Sequence, residues 1–144
     1  GRMIRPDREG FDKVLVDAPC SSESRFELGD PDTFAYWSLR KIKEMRKKQI
    51  GLIRSGIRCL KSGGTLVYST CTFAPEENEG VIHFILKKMG GEVSLEEIAT
   101  APESRYPVLT EWEKKEFEGL EGKPSRYIFK QDGSAFFVAK FRKN

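Results

Sequence analysis

Two cysteines carry most of the chemistry this sequence could do. Cys20 lies in VLVDAPCSSESR, where an apolar run closes on Asp17 and Pro19 hands the thiol to a serine-rich turn; Cys71 lies in TLVYSTCTFAPEENE, where a second apolar run closes on Ser69 and Thr70. Both thiols follow a stretch of strand character, at the point where a chain leaves a sheet. Loops at such points carry function more often than packing. Cys59 falls instead on the apolar side of a helical pattern and reads as a small core filler.

Three chemistries want thiols in a cleft. A redox pair is one, although cysteines 51 residues apart lack the local spacing of a dithiol oxidoreductase. A cysteine phosphatase is another, with Cys20 attacking phosphorus and Arg25 holding the oxygens. Only four residues separate Cys20 from Arg25, one fewer than such a loop has, and Glu23 puts a carboxylate where an anion must bind. The third is methylation of a pyrimidine at carbon 5. That carbon is a poor nucleophile until a thiolate adds to carbon 6, so one cysteine must attack, and a second can help release the product. The target base must then be presented outside any stack, from a single-stranded loop or by flipping.

The elements that position the thiols follow from periodicity. FDKVLVDAP reads as a buried strand over about 11 to 17, between Gly10 and Pro19. Apolar residues then recur at Leu39, Ile42, Met45, Ile53, Ile57 and Leu60, which predicts a long amphipathic helix ending before Gly63 and Gly64. TLVYST is a second strand at about 65 to 70, and strand, helix, strand in that order predicts a parallel crossover unit. A helix is expected over about 75 to 89, with Pro75, Glu76 and Glu77 in its first turn, Lys87 and Lys88 in its last, and Gly90 and Gly91 as its stop. EVSLEEI is a candidate third strand. The stretch from Pro102 to Pro124 reads as an insertion with a short helix near 111 to 118. RYIF is a weaker strand candidate, and SAFFVAKF is the last strand. This alternation implies an α/β domain with a largely parallel sheet and a closing hairpin, in which ligands bind beyond the carboxyl ends of the strands.

Composition narrows the class. At 144 residues the chain is one domain, 1–144, and small for a complete cofactor-dependent enzyme. Runs such as VIHFIL are too short to span a bilayer, and the opening GRMIRPDREG has no apolar signal core, so neither a membrane nor secretion is expected. An odd number of irregularly spaced cysteines suits a reducing, cytoplasmic setting. Charge is uneven. From Arg40 to Lys61 nine Lys or Arg stand against Glu44 alone, whereas from Glu92 to Glu121 nine Glu stand against three basic residues. A basic helix face is either solvated surface or a surface that meets phosphates.

The two thiol segments resemble the Nop/Sun (Sun/Fmu-type) family of S-adenosylmethionine-dependent RNA 5-methylcytosine methyltransferases. FDKVLVDAPCS is similar to that family's strand with the Asp-Ala-Pro-Cys motif, and LKSGGTLVYSTCTFAPEENE to its Thr-Cys signature followed by Pro-Glu-Glu-Asn-Glu. The resemblance covers most of residues 11–90 and the last dozen residues. It implies the carboxyl-terminal half of a Rossmann-like class I methyltransferase fold, with S-adenosylmethionine as cofactor and tRNA or rRNA as partner. It implies Cys71 as the nucleophile, Cys20 as the thiol assisting release, and Asp17 at the cofactor and target-base site. Pro19 and Arg25 join the substrate-binding set, with Arg25 a candidate phosphate contact. DNA cytosine methyltransferases attack from the Pro-Cys position, which keeps Cys20 as the alternative nucleophile. Pro75, Glu76, Glu77 and Asn78 are expected to shape a turn and cap a helix, and His83 to pack at a rim. No metal site is expected.

The sequence departs from the family pattern in two ways. Ser22 stands where Gly commonly follows the Asp-Ala-Pro-Cys-Ser run. The cofactor's glycine-rich loop, its lysine and the ribose-binding acid should precede residue 11 and are not found there. The chain alone is therefore expected to be inactive and to bind S-adenosylmethionine weakly or not at all, with the strand at 11–17 offering an unpaired edge to a missing half or to a second copy. A noncatalytic RNA-binding fragment is the alternative.

Overall fold

The computed structural model describes residues 10–98, 105–128 and 134–144. The opening decapeptide up to residue 9, the start of the expected insertion (102–104) and Phe129 of RYIF lie outside the described residues.

β1 (Phe11–Asp17) leads through two short 3-10 turns to α1 (Leu39–Cys59), and β2 (Leu60–Thr70) follows at once. Ser38 caps α1, its hydroxyl accepting from the Lys41 amide at 3.1 Å. Most of the predicted stripe is buried: Ile42, Met45, Ile53 and Ile57 face the core with Cys59 and one polar residue, Gln49, whereas Leu39 in the first turn is 65% exposed and Leu60 already belongs to β2. β1 and β2 pair in parallel, from Lys13 opposite Thr65 to Asp17 opposite Ser69. β2 is longer than the expected 65–70 because Gly63 and Gly64 lie inside it, at the register shift between Phe11 and Lys13. Gly63 takes φ +75°, and a Cβ on Gly64 would meet the Lys61 and Asp12 carbonyls at 3.0 and 3.1 Å.

The rest of the sheet comes from α2 (Glu79–Met89), β3 (Val93–Glu96), β4 (Arg105–Tyr106), β7 (Ser125–Ile128) and β8 (Ala135–Lys143). Its order is β1-β2-β8-β7-β4, with β3 also against β8. The α/β class, the third strand, RYIF and the last strand stand as expected. The sheet itself is mixed rather than largely parallel: among the described residues only β1 and β2 run parallel, and every pairing of β8 is antiparallel. β1 has β2 as its one described partner and is an edge strand.

Two expectations fail locally. Residues 111–118 form not a helix but a hairpin of β5 (Glu111–Trp112) and β6 (Lys115–Glu116), turning through Glu113 and Lys114, both at positive φ. Positive φ at both central positions is what a two-residue hairpin turn requires, and burial of Phe117 beside the His83 ring anchors it. The helix expected from 75 begins at 79, because residues 74–78 form a turn in which the Pro75 carbonyl accepts from the Gly80 amide at 2.8 Å.

Candidate active site

Both thiols sit just beyond the carboxyl ends of adjacent parallel strands, three residues after β1 and one after β2. Their Sγ atoms are 3.3 Å apart, and neither sulfur is in a disulfide. The loops are tied where they pass each other. The Ala18 amide donates to the Ser69 carbonyl at 3.0 Å, and the Ser24 hydroxyl to the Cys71 carbonyl at 2.8 Å. The hydroxyls of Ser21 and Thr72, the residues after each cysteine, lie 2.7 Å apart.

A second layer fixes the loops from beneath. Glu77 is fully buried and accepts from the Ser21 amide at 3.1 Å and from Gln49 Nε2 at 2.6 Å; Gln49 Nε2 also donates to the Pro19 carbonyl at 3.0 Å. Cys20 is thus held on both flanks through one buried pair. Asn78 does the same for Cys71: its Oδ1 accepts from the Thr70 hydroxyl at 2.6 Å, and its Nδ2 donates to the Thr72 carbonyl at 2.9 Å. Glu79 turns the other way, to a bidentate ion pair with Arg126 at 2.6 and 2.7 Å. These residues shape the turn as expected, but Glu77 and Asn78 spend their side chains on the thiol loops rather than on capping α2. Sequence reasoning gave Gln49 no role; its one signal is a polar residue within the apolar stripe of α1.

Electrostatics separates the two thiols. A hydrogen bond from Cys20, another from Ser22 and the charge of Arg25 bring the Cys71 thiol down to about 6, against the opposing effect of burial. Its hydrogen bond to Cys71 and its burial push the Cys20 thiol far up. The two shifts run in opposite directions, so ionisation of the pair is favoured at Cys71 over Cys20. Burial raises the Glu77 carboxyl, while the Ser21 and Gln49 hydrogen bonds pull it back.

The remaining predicted residues stand around the pair. Asp17 ends β1, exposed, with Oδ1 accepting from the Ser69 hydroxyl at 3.0 Å. Pro19 is exposed beside Cys20, and Arg25 is exposed and near enough to act on Cys71. His83 packs against Phe117, as expected of a rim residue. The phosphatase alternative loses its anion cradle, because loop amides are already committed: Ser21 to Glu77, Ser24 to Cys71, Arg25 to the Ser22 carbonyl. No cluster with metal-binding potential occurs among the described residues, and no described helix is long and apolar enough to cross a membrane.

Asp17 is the residue here that could touch S-adenosylmethionine. Gly10 precedes β1 and Gly63 and Gly64 lie within β2, so no glycine-rich turn follows a strand among the described residues. Along the open edge of β1 runs a groove of about 350 Å³, lined by Val14, Leu15, Val16, Leu52 and Gly56 and ending at Asp17.

Comparison with solved structures gives the class: a Rossmann-like methyltransferase fold. A methyltransferase homolog protein from Pyrococcus horikoshii superposes with a TM-score of 0.74 at 34% identity, over 94% of this chain and 40% of that one. NSun6 from Pyrococcus horikoshii with SFG superposes with a TM-score of 0.70 at 32% identity, over 94% of this chain and 30% of that one. The chain belongs to the 16S rRNA methyltransferase RsmB/F family, whose sequence profile matches residues 2–142. Ribosomal RNA small subunit methyltransferase F of Vibrio cholerae is 43% identical over 137 residues, and its Aliivibrio fischeri counterpart 39% over 138. Each alignment covers 94% of this chain but only 26% and 27% of the relative, so the chain spans about a quarter of these proteins.

Proposed function

We propose that this chain is the thiol-bearing part of a cytoplasmic RNA methyltransferase that modifies carbon 5 of cytosine in ribosomal RNA, with Cys71 as nucleophile. The observation that carries this reading is the 3.3 Å contact between Cys71 and Cys20 at the ends of two parallel strands. Membership in a 16S rRNA methyltransferase family supports the substrate class, and the likeness to NSun6 with SFG, an S-adenosylmethionine analogue, supports the cofactor.

The Cys71 thiolate adds to carbon 6 of the base, forming an S–C bond and shifting the double-bond electrons onto carbon 5. S-adenosylmethionine, when bound, supplies the methyl group that carbon 5 receives. The carbon 5 proton then passes to water, the double bond re-forms, and the S–C bond breaks with its electron pair returning to Cys71. Cys20, kept protonated, donates a hydrogen bond that stabilises the departing thiolate. Asp17, oriented by Ser69, accepts from the amino group of the cytosine, and Arg25 offers its charge to a flanking phosphate. Cys20 as nucleophile fits less well, because its thiol is pushed up while that of Cys71 is brought down.

The test is methyl transfer by the full-length protein onto small-subunit rRNA. Cys71→Ser is expected to abolish turnover, and Cys20→Ser to accumulate a covalent protein–RNA adduct. Full turnover in Cys71→Ser would sink the assignment. Salt-dependent RNA binding that survives loss of both thiols, with no methyl transfer by the wild type, would favour a noncatalytic RNA-binding role. For this chain alone we expect no transfer and, by calorimetry, no stoichiometric binding of S-adenosylmethionine.

A further inference from the structure

Ser22 has the backbone of a glycine. Its φ of 58° and ψ of 32° place it in the left-handed region, where a side chain is costly and glycine is not. Such conformations in non-glycine residues cluster at functional sites, where the surroundings enforce them. What the side chain does there is visible. Its Oγ accepts from Cys71 Sγ at 3.7 Å and lies 3.8 Å from Cys20 Sγ, either atom of that second pair being able to donate. The hydroxyl itself donates to the Cys20 carbonyl at 3.5 Å, a long bond that it can exchange for a Cys71 sulfur without a proton. The conformation itself is held by the 3-10 turn that follows, through the Arg25 amide donating to the Ser22 carbonyl at 2.9 Å.

We infer that Ser22 is a positioning residue for the cysteine pair: its hydroxyl accepts from the Cys71 thiol and, once that sulfur has lost its proton, turns to donate to it, fixing it against Cys20. A thiolate takes hydrogen bonds readily, and each donor lowers the pH at which it forms. Cys71 then has two donors, the Cys20 thiol and the Ser22 hydroxyl, on a loop that a glycine would hold at lower conformational cost. The left-handed turn aims the hydroxyl at the sulfurs; a serine in ordinary extended backbone would point it elsewhere.

The inference rests on Cys71 as the working thiol, and its test reads that thiol without requiring methyl transfer. In the full-length protein, the rate of Cys71 alkylation by iodoacetamide is followed against pH, with the modified peptide identified by mass spectrometry. Ser22→Gly is the informative variant, because it relieves the backbone while removing the hydroxyl. We expect its melting temperature to equal or exceed the wild type's, and its Cys71 profile to move up by about one pH unit, a roughly tenfold loss of thiolate below neutrality. Ser22→Ala is expected to shift the profile equally while melting lower, and Ser22→Thr to restore part of it. A Ser22→Gly profile that superposes on the wild type's overturns the inference. A shifted profile with turnover unchanged would uphold the contact and count instead against Cys71 as nucleophile, so the two ideas fail separately.

Discussion

Glu77 and Asn78 adjoin in sequence and hold different cysteines: the Glu77 carboxylate takes the Ser21 amide beside Cys20, and the Asn78 side chain takes Thr70 and Thr72 on either side of Cys71. The separation of the two thiols is therefore set from one turn. Glu77→Ala leaves the Ser21 amide and Gln49 without their buried acceptor, at about 1–3 kcal/mol for each unsatisfied group. Glu79→Ala, two residues on at the start of α2, serves as the control, because Glu79 faces Arg126. Both variants should melt lower than the wild type. Only Glu77→Ala should alter the Cys71 alkylation profile, and equal shifts in both would reduce Glu77 to general stability.

The Cys71 thiol gives stability a pH dependence whose sign is fixed. Its folded value, about 6, lies below its unfolded value of about 9, so the unfolded chain binds the extra proton between those limits. Stability should rise with pH from about 6 to about 9 and be lost as pH falls through 6. Above about 9 the Cys20 contribution has the opposite sign, since that thiol resists ionising in the folded chain. Melting curves across this range should show the rise in the wild type and not in Cys71→Ser.

Glu79, fully buried at the start of α2, pairs with the half-buried Arg126 of β7, which also donates to the Phe73 carbonyl at 3.1 Å. Arg126→Met removes one charge and strands the other, which should cost about 3 kcal/mol. Adding Glu79→Gln should return part of it. A double-mutant cycle by denaturant unfolding measures the coupling, and strict additivity would mean that the pair contributes nothing.

The open edge of β1 is expected to pair with another strand, and Leu15, 70% exposed beside the groove, marks its apolar face. Leu15→Lys should lower concentration-dependent association of the isolated chain in sedimentation velocity. Unchanged association would direct attention to another surface.

What the sequence discloses divides along physical lines. α1 and β2 are legible because each buries one face at its own period, and the meeting of Cys20 with Cys71 follows from both lying past parallel strand ends; β1, read as a buried strand, buries only Val16 among its seven residues because it lies at the sheet edge. EWEKKEFE is locally helix-forming by its Glu and Lys, yet Phe117 is claimed by α2, and the chain reaches it by a hairpin. Tertiary burial overrides propensity there. Glu77, Asn78 and Glu79 look like the polar start of a helix and are wholly buried, because their partners come from residues 21, 49, 70, 72 and 126. Long-range polar pairing of this kind leaves no local pattern to read.

α1 has no room to spare above the sheet. A Cβ on Gly56 would lie 2.6 Å from Leu66 Cδ1 and 3.2 Å from Val14 Cγ1, so the helix rests on β1 and β2 at a distance only a hydrogen atom permits. Two turns earlier the same helix lets Gln49 reach the Pro19 carbonyl and Glu77. One methyl group at position 56 would force the Leu66 side chain to move, with Val14 and Val16 close behind it. The seat that presents Gln49 to the thiol loops is thereby set by a contact that involves no polar atom at all.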